Sequence, residues 1–233
     1  MKRILNEIAQ TSLYTTVTGS ATILKTNEIF TRYAKKTGSV LELGPAEGLM
    51  TEKLTQCFEK VSVVDASSVY CAGIKSRLPS VEVYQSYFED FECDELFDNI
   101  VLGHVLEHVD CPVSVLKHIK TFLKPGGLIF AAVPNAKSIH RQAAVIMNIL
   151  ETEYSLSDLD IHHGHQRVFN PDTFRDVFYR AKLPITVFGG YWLKPVSNKQ
   201  IEETWTEEML GAFMDLGEKY PEIAGELFIV SEV

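Results

Sequence analysis

Glu42, Gly44, Gly48 and Asp65 fall along the chain in the order acid, glycine, glycine, acid. In "VLELGPAEGLMTEKL" the two glycines let the backbone pass close to a ligand. Asp65 ends the apolar run "VSVVDASS" ~20 residues further on, where a carboxylate is placed to accept hydrogen bonds from ribose hydroxyls. The middle glycine of the usual nucleotide-binding pattern is replaced by Ala46, behind Pro45, and Glu47 adds a negative charge. Both features disfavour a diphosphate held against a helix N-terminus, so a ligand without phosphates fits better. Two plainer readings stay open on these residues alone: an ordinary tight turn at the glycines, and a helix N-cap at Asp65.

A second concentration of chemistry is "DLDIHHGHQRVFN", with Asp160, His162, His163, His165 and Arg167. A His-His-x-His cluster can bind metal, or merely cap and stack; no metal site is assigned. Arg167 offers a planar fork for bidentate recognition of a carboxylate or phosphoryl group, or it pins its segment through a salt bridge. Lys194 in "YWLKP" would complete a cationic pair suited to an acidic small molecule, such as a carboxylate, phosphonate or sugar acid.

These residues need elements to hold them. Up to about Lys36 the chain is helical in character. "SVLELG", "VSVVDAS", "VEVYQS", "NIVLGHV" and "LIFAAVP" are predicted strands, and "GLMTEKLTQCF", "YCAGIKSRL" and "PVSVLKHIKTFL" predicted helices. "KPGG" is predicted as a turn, "PDTFRDVFYRAKL" as a helix and "ITVF" as a sixth strand. The alternation argues for a parallel sheet covered on both faces, with ligands at the carboxyl ends of its strands. "NKQIEETWTEEMLGAFMDLGEKY" is predicted helical, with Ile201, Trp205, Met209, Phe213 and Leu216 facing the core.

The 233 residues suffice for one well-buried domain. A net charge of −9 argues against a nucleic-acid surface. No run approaches the ~18 apolar residues of a membrane helix, and no signal peptide is evident. Cys57, Cys71, Cys93 and Cys111 lack paired spacing, as expected of reduced thiols in a cytoplasmic protein.

Taken in order, Glu42-Leu43-Gly44-x-x-x-Gly48, Asp65, "FDNIVLGHVLEHV" and "LKPGGLIFAAVPN" resemble class I S-adenosylmethionine-dependent methyltransferases. The similarity is to the small-molecule branch that includes ubiquinone-biosynthesis O-methyltransferases, and it is densest from Gly38 to Asn135. It implies an α/β, Rossmann-like, mostly parallel seven-stranded sheet with helices on both faces, an antiparallel last strand and helical lid elements. It also implies S-adenosylmethionine as cofactor and a small-molecule acceptor methylated on oxygen or nitrogen. Residues 1–36 would form a helical lid, 37–135 the cofactor-binding core, 136–170 an acceptor-binding insert, and 171–233 the rest of the core with a helical insert that covers the pocket or forms a homodimer face.

By that resemblance Glu42 orders the glycine loop or meets the methionine part, and Gly44, Pro45, Ala46 and Gly48 carry the backbone beneath the ligand. Asp65, followed by Ala66, holds the ribose. Tyr87 and Phe88 stand where an adenine-binding Asp is common, so the Phe88 backbone or the carboxylates of Glu89 or Asp90 would replace it. Gly103 and His104 face the transferred methyl. His104 is the expected base for a hydroxyl acceptor, and His108 is a second catalytic candidate or a brace; with Glu107 they are also the residues a divalent metal would use in this branch. Tyr14, Asn135, His165, Arg167 and Lys194 are expected on the acceptor side. A catalytically inactive partner subunit and an NAD-dependent oxidoreductase remain the alternatives.

Overall fold

The computed structural model describes residues 16–36 and 38–233; the expected lid residue Tyr14 lies outside them. The strands are β1 (Ser39–Leu43), β2 (Lys60–Asp65), β3 (Glu82–Gln85), β4 (Phe97–Gly103), β5 (Leu123–Pro134), β6 (Val187–Tyr191) and β7 (Glu226–Glu232). They form one sheet in the order β3-β2-β1-β4-β5-β7-β6. The pairs from β3 to β5 are parallel, and β7 runs antiparallel between β5 and β6. The expected Rossmann-like sheet with its antiparallel last strand is therefore present.

Side chains alternate across each strand. Leu41 and Leu43 of β1 join Ile100 and Leu102 of β4 on one face, under α4 (Pro112–Ile119) and α7 (Pro171–Arg180). Val40 of β1 and Val63 of β2 join the other face, under α1 (Val17–Tyr33), α2 (Leu49–Leu54), α3 (Ser68–Arg77) and α9 (Glu207–Gly217). With both faces covered, β1 is buried at every residue. Glu42 is the one charge in that strand, and apolar burial gives no reason for it. Between β4 and β7 the chain also forms α5 (Ile139–Ile146), α6 (Asp158–His163) and α8 (Asn198–Thr204).

Three local expectations need correction. "KPGG" does not break the chain away from the sheet. Phe97 pairs with Leu123 and Asn99 with Leu128, so Lys124–Gly127 bulge within a continuous β5, and Gly126 takes the left-handed backbone the bulge requires, at φ +72°. The sixth strand begins only at Val187 and runs on through Tyr191, where a loop was expected. The long C-terminal helix is two helices, broken at Trp205, where Thr206 caps α9 by accepting from the Met209 N–H. Ile201 is buried and Trp205 and Phe213 pack against the core as expected, but the phase shifts past the break: α9 buries Leu210, Met214 and Gly217, and Met209 is 43% exposed.

Candidate functional site

Strand order reverses between β1 and β4, and a cavity of about 720 Å³ opens at their carboxyl ends. One half is built by the turns after β1, β2 and β3. Gly44 (φ +65°) and Ala46 (φ +46°) are left-handed, and the Gly44 N–H donates to Val64 O at 3.0 Å. A Cβ on Gly44 would stand 3.0 Å from Val105 Cγ2 and 3.6 Å from Phe88 Cζ, so the bare backbone keeps this wall open. Gly48 does not line the cavity. It starts α2 at φ +78°, and a Cβ there would meet Ile74 Cγ1 at 3.2 Å. Its absent side chain serves helix packing, with Arg77 clamping the loop through Glu47 O.

Glu42 rises from β1 into the cavity wall, and the Thr51 hydroxyl donates to its Oε2 at 2.6 Å. Burial, against that hydrogen bond, pushes its carboxyl up to about 7. Asp65, at the tip of β2, accepts the Ser67 N–H at 2.7 Å, and burial pushes it up to about 6. Ser67, not Asp65, is the N-cap of α3. The Asp65 carboxylate therefore lines the cavity without serving the helix. Ala66, Tyr87, Phe88, Glu89 and Asp90 line the same half.

The other half lies past Gly103. His104 is held in the left-handed region at φ +60°, a strain of ~1–2 kcal/mol for a side-chain-bearing residue. Its Nε2 lies 3.0 Å from Tyr191 Oη and 3.4 Å from Thr26 Oγ1. Its Nδ1 faces two buried carboxylates, Glu107 Oε1 at 3.6 Å and Glu226 Oε2 at 3.8 Å. Burial favours a neutral ring, but Glu107 and Glu226 outweigh it and raise the His104 pKa above its usual value. Burial acts to raise Glu107, but the neighbouring histidines hold it below the usual carboxylate range; burial raises Glu226 against His104 and Lys194.

The insert reaches this half because its return segment is stapled to the turn after β4. The Arg167 guanidinium donates to the carbonyls of Leu106, Val109 and Asp110, and Gln166 donates to His108 O and Asp110 Oδ1. Arg167 thus stands outside the cavity wall, with its fork spent on backbone. Asp160 is also engaged, with Arg141 at 3.1 Å, His165 Nδ1 at 3.1 Å and the Ser157 cap. His165 sits edge-on to His108, ring centroids 4.7 Å apart, and both line the cavity. Glu107, His108 and His165 each bring one potential metal-donor atom within 4.8 Å of the others. Asn135 lines the cavity, but its amide donates to Glu222 O and Ala224 O and its carbonyl accepts from the Lys137 N–H.

Lys194 is a buried cation of the cavity wall, with Nζ 4.7 Å from the Trp192 ring centroid and in no hydrogen bond or ion pair with the described residues. Burial pulls its ammonium down to about 8, against Glu226 and Asp160. Sequence reasoning missed Glu226, Tyr191, Thr26 and Arg141. Glu226 alone left a signal, as a charge at the head of the apolar "ELFIVSEV".

A family model described as a methyltransferase domain matches residues 21–185. This chain belongs to the S-adenosylmethionine-dependent methyltransferase family. The methyltransferase is 26% identical over 171 residues to a ubiquinone biosynthesis O-methyltransferase of Actinobacillus pleuropneumoniae, covering 69% of this chain and 71% of that one. It is 27% identical to the mitochondrial ubiquinone biosynthesis O-methyltransferase of Dictyostelium discoideum, covering 68% and 54%. In fold it matches a possible histamine N-methyltransferase of Thermotoga maritima with a TM-score of 0.70, at 18% identity, over 99% of this chain and 98% of that one. It also matches the 1,6-didemethyltoxoflavin N1-methyltransferase of Burkholderia thailandensis with a TM-score of 0.67, at 14% identity, over 99% and 87%. The cavity has the chemistry the family's cofactor needs: a bare Gly44 wall, a buried carboxylate at Asp65 and, among the described residues, no cation beside the loop other than Arg77, which is tied to Glu47 O. No described helix is long and apolar enough to cross a membrane.

Proposed function

We propose that this chain transfers a methyl group from S-adenosylmethionine to an oxygen or nitrogen of a small molecule that carries an acidic group. The carrying observation is Asp65: a buried carboxylate with one oxygen tied to the Ser67 N–H, facing a cavity whose neighbouring wall is the left-handed Gly44 turn. In this reading Asp65 holds the ribose hydroxyls, Gly44 to Ala46 pass beneath the ligand, Glu42 orders that loop, and Tyr87 to Glu89 close around the base. Gly103 and His104 border the methyl.

The bound cofactor supplies an electrophilic methyl on a sulfonium sulfur. The remaining work is alignment, exclusion of water and removal of a proton. His104 fixes the acceptor half, tied by Tyr191 and Thr26 on one nitrogen and by Glu107 and Glu226 on the other. The acidic handle expected of Arg167 passes to Lys194, a cation of the cavity wall with no ion pair among the described residues. His108 and His165 line the same cavity. The similarity to ubiquinone biosynthesis O-methyltransferases supports a small acceptor. Titration calorimetry with S-adenosylhomocysteine and with NAD is the test. Micromolar binding of the first and none of the second is expected; the reverse, or binding of neither, overturns the reading.

A further inference from the structure

The acceptor half holds more buried charge than its internal contacts use. Glu107 is fully buried, and among the described residues neither of its carboxylate oxygens has a hydrogen-bond donor. Glu226 Oε2 is likewise buried without one. The neighbour they share is His104, at 3.6 and 3.8 Å; His108 and His165 also act on Glu107, and Lys194 on Glu226, without closing an ion pair among the described residues. Lys194 and Glu226 both line the cavity and do not close into an ion pair. By contrast, Asp160, Arg141 and Arg167 are saturated by protein groups. Leaving buried charges unpaired is costly. The arrangement makes sense when a ligand supplies the missing partners.

Resting on the methyltransferase reading, we propose that the acceptor is a zwitterion: an amine received by Glu107 and Glu226 beside His104, and an anionic group received by Lys194. A neutral hydroxyl would leave the excess negative charge of the trio unbalanced, whereas an ammonium neutralises it. A diacid would set a second anion against Glu107 and Glu226, and a diamine a second cation against Lys194.

The chemistry then balances. The bound ammonium gives one proton to the Glu226 carboxylate, which becomes the neutral acid. The freed nitrogen lone pair forms the N–C bond while the S–C bonding pair stays on sulfur. The products are an N-methylammonium ion and S-adenosylhomocysteine, and Glu226 returns its proton to water.

The test uses chains of matched length: the ω-amino acids from glycine to aminohexanoate, with the corresponding diacids and diamines. Binding is measured by calorimetry on the intact protein saturated with S-adenosylhomocysteine, so that cofactor binding is established first and its failure is seen separately. At least one amino acid should bind about tenfold more tightly than the diacid and diamine of its length. Lys194→Met should remove about tenfold from that affinity, leave the diamines bound no more weakly and spare S-adenosylhomocysteine. Tighter binding of diacids or diamines, or no binding of any amino acid at millimolar concentration, overturns the proposal. So does binding that requires a divalent cation and is lost in EDTA, which would assign Glu107 to a metal.

Discussion

Asp65 accepts the backbone N–H of Ser67 at 2.7 Å, and Ser67 in turn caps α3. The carboxylate is thereby held at the cavity wall by a neighbour two residues on, with nothing cationic beside it. Its pKa is raised from 3.8 to about 6 by burial.

That shift fixes a sign. The folded carboxyl binds its proton more tightly than the unfolded one, so it costs no stability below pH 3.8 and its full cost is present above about 6. Asp65→Asn keeps the bond to the Ser67 N–H and removes the charge. The ligand-free variant should melt higher than wild type at pH 8, by up to about 3 kcal/mol of stability, and show no such gain at pH 3.5. Its affinity for S-adenosylmethionine should fall at least tenfold, since a charge-assisted hydrogen bond contributes about 1.5–3 kcal/mol. A lower melting point at pH 8, or unchanged affinity, would contradict this account.

Gly44→Val should lose cofactor binding and about 1–3 kcal/mol of stability. The side chain must enter a left-handed turn and sit 3.0 Å from Val105 Cγ2. Calorimetry checks the first effect and urea denaturation the second.

His104→Ala leaves Glu107 and Glu226 facing each other without an intervening cation. We expect a loss of about 3–5 kcal/mol, as for a buried pair stripped of one partner. Adding Glu226→Gln should restore part of it. A double-mutant cycle whose coupling energy is indistinguishable from zero would show that the two groups do not share a charge.

Arg167→Lys should lower stability by about 1–3 kcal/mol, because one ammonium cannot span the three carbonyls of Leu106, Val109 and Asp110. Its effect on turnover should be the same for an acidic acceptor and for its neutral ester. A defect confined to the acidic acceptor would return Arg167 to the role of substrate handle.

What the sequence makes legible follows from how local the cause is. The glycine turn, the strand ending at Asp65 and the capped α7 depend on neighbours within a few residues, and all are readable. Glu42 is readable for the opposite reason: a charge inside a fully buried strand has no packing purpose. The failures are non-local. Arg167 carries the chemistry of a substrate handle, yet three carbonyls from a turn 57 to 61 residues earlier consume it. Met209 carries the right spacing from Ile201, yet Trp205 and Thr206 interrupt the helix between them. The environment of His104 draws on α1, the turn after β4, β6 and β7 at once, and no window of sequence contains them together.

The place of β7 has a consequence for how the enzyme comes into being. It is the latest in sequence of the seven strands described, but it sits inside the sheet, between β5 and β6. While the chain is being synthesised, β5 ends in an unpaired edge and Glu226 is missing from beside His104. The cofactor half, built by β1 to β3, can close first; the acceptor half waits for the final segment to thread in. A nascent chain should therefore acquire affinity for S-adenosylhomocysteine before it acquires a place for the molecule to be methylated.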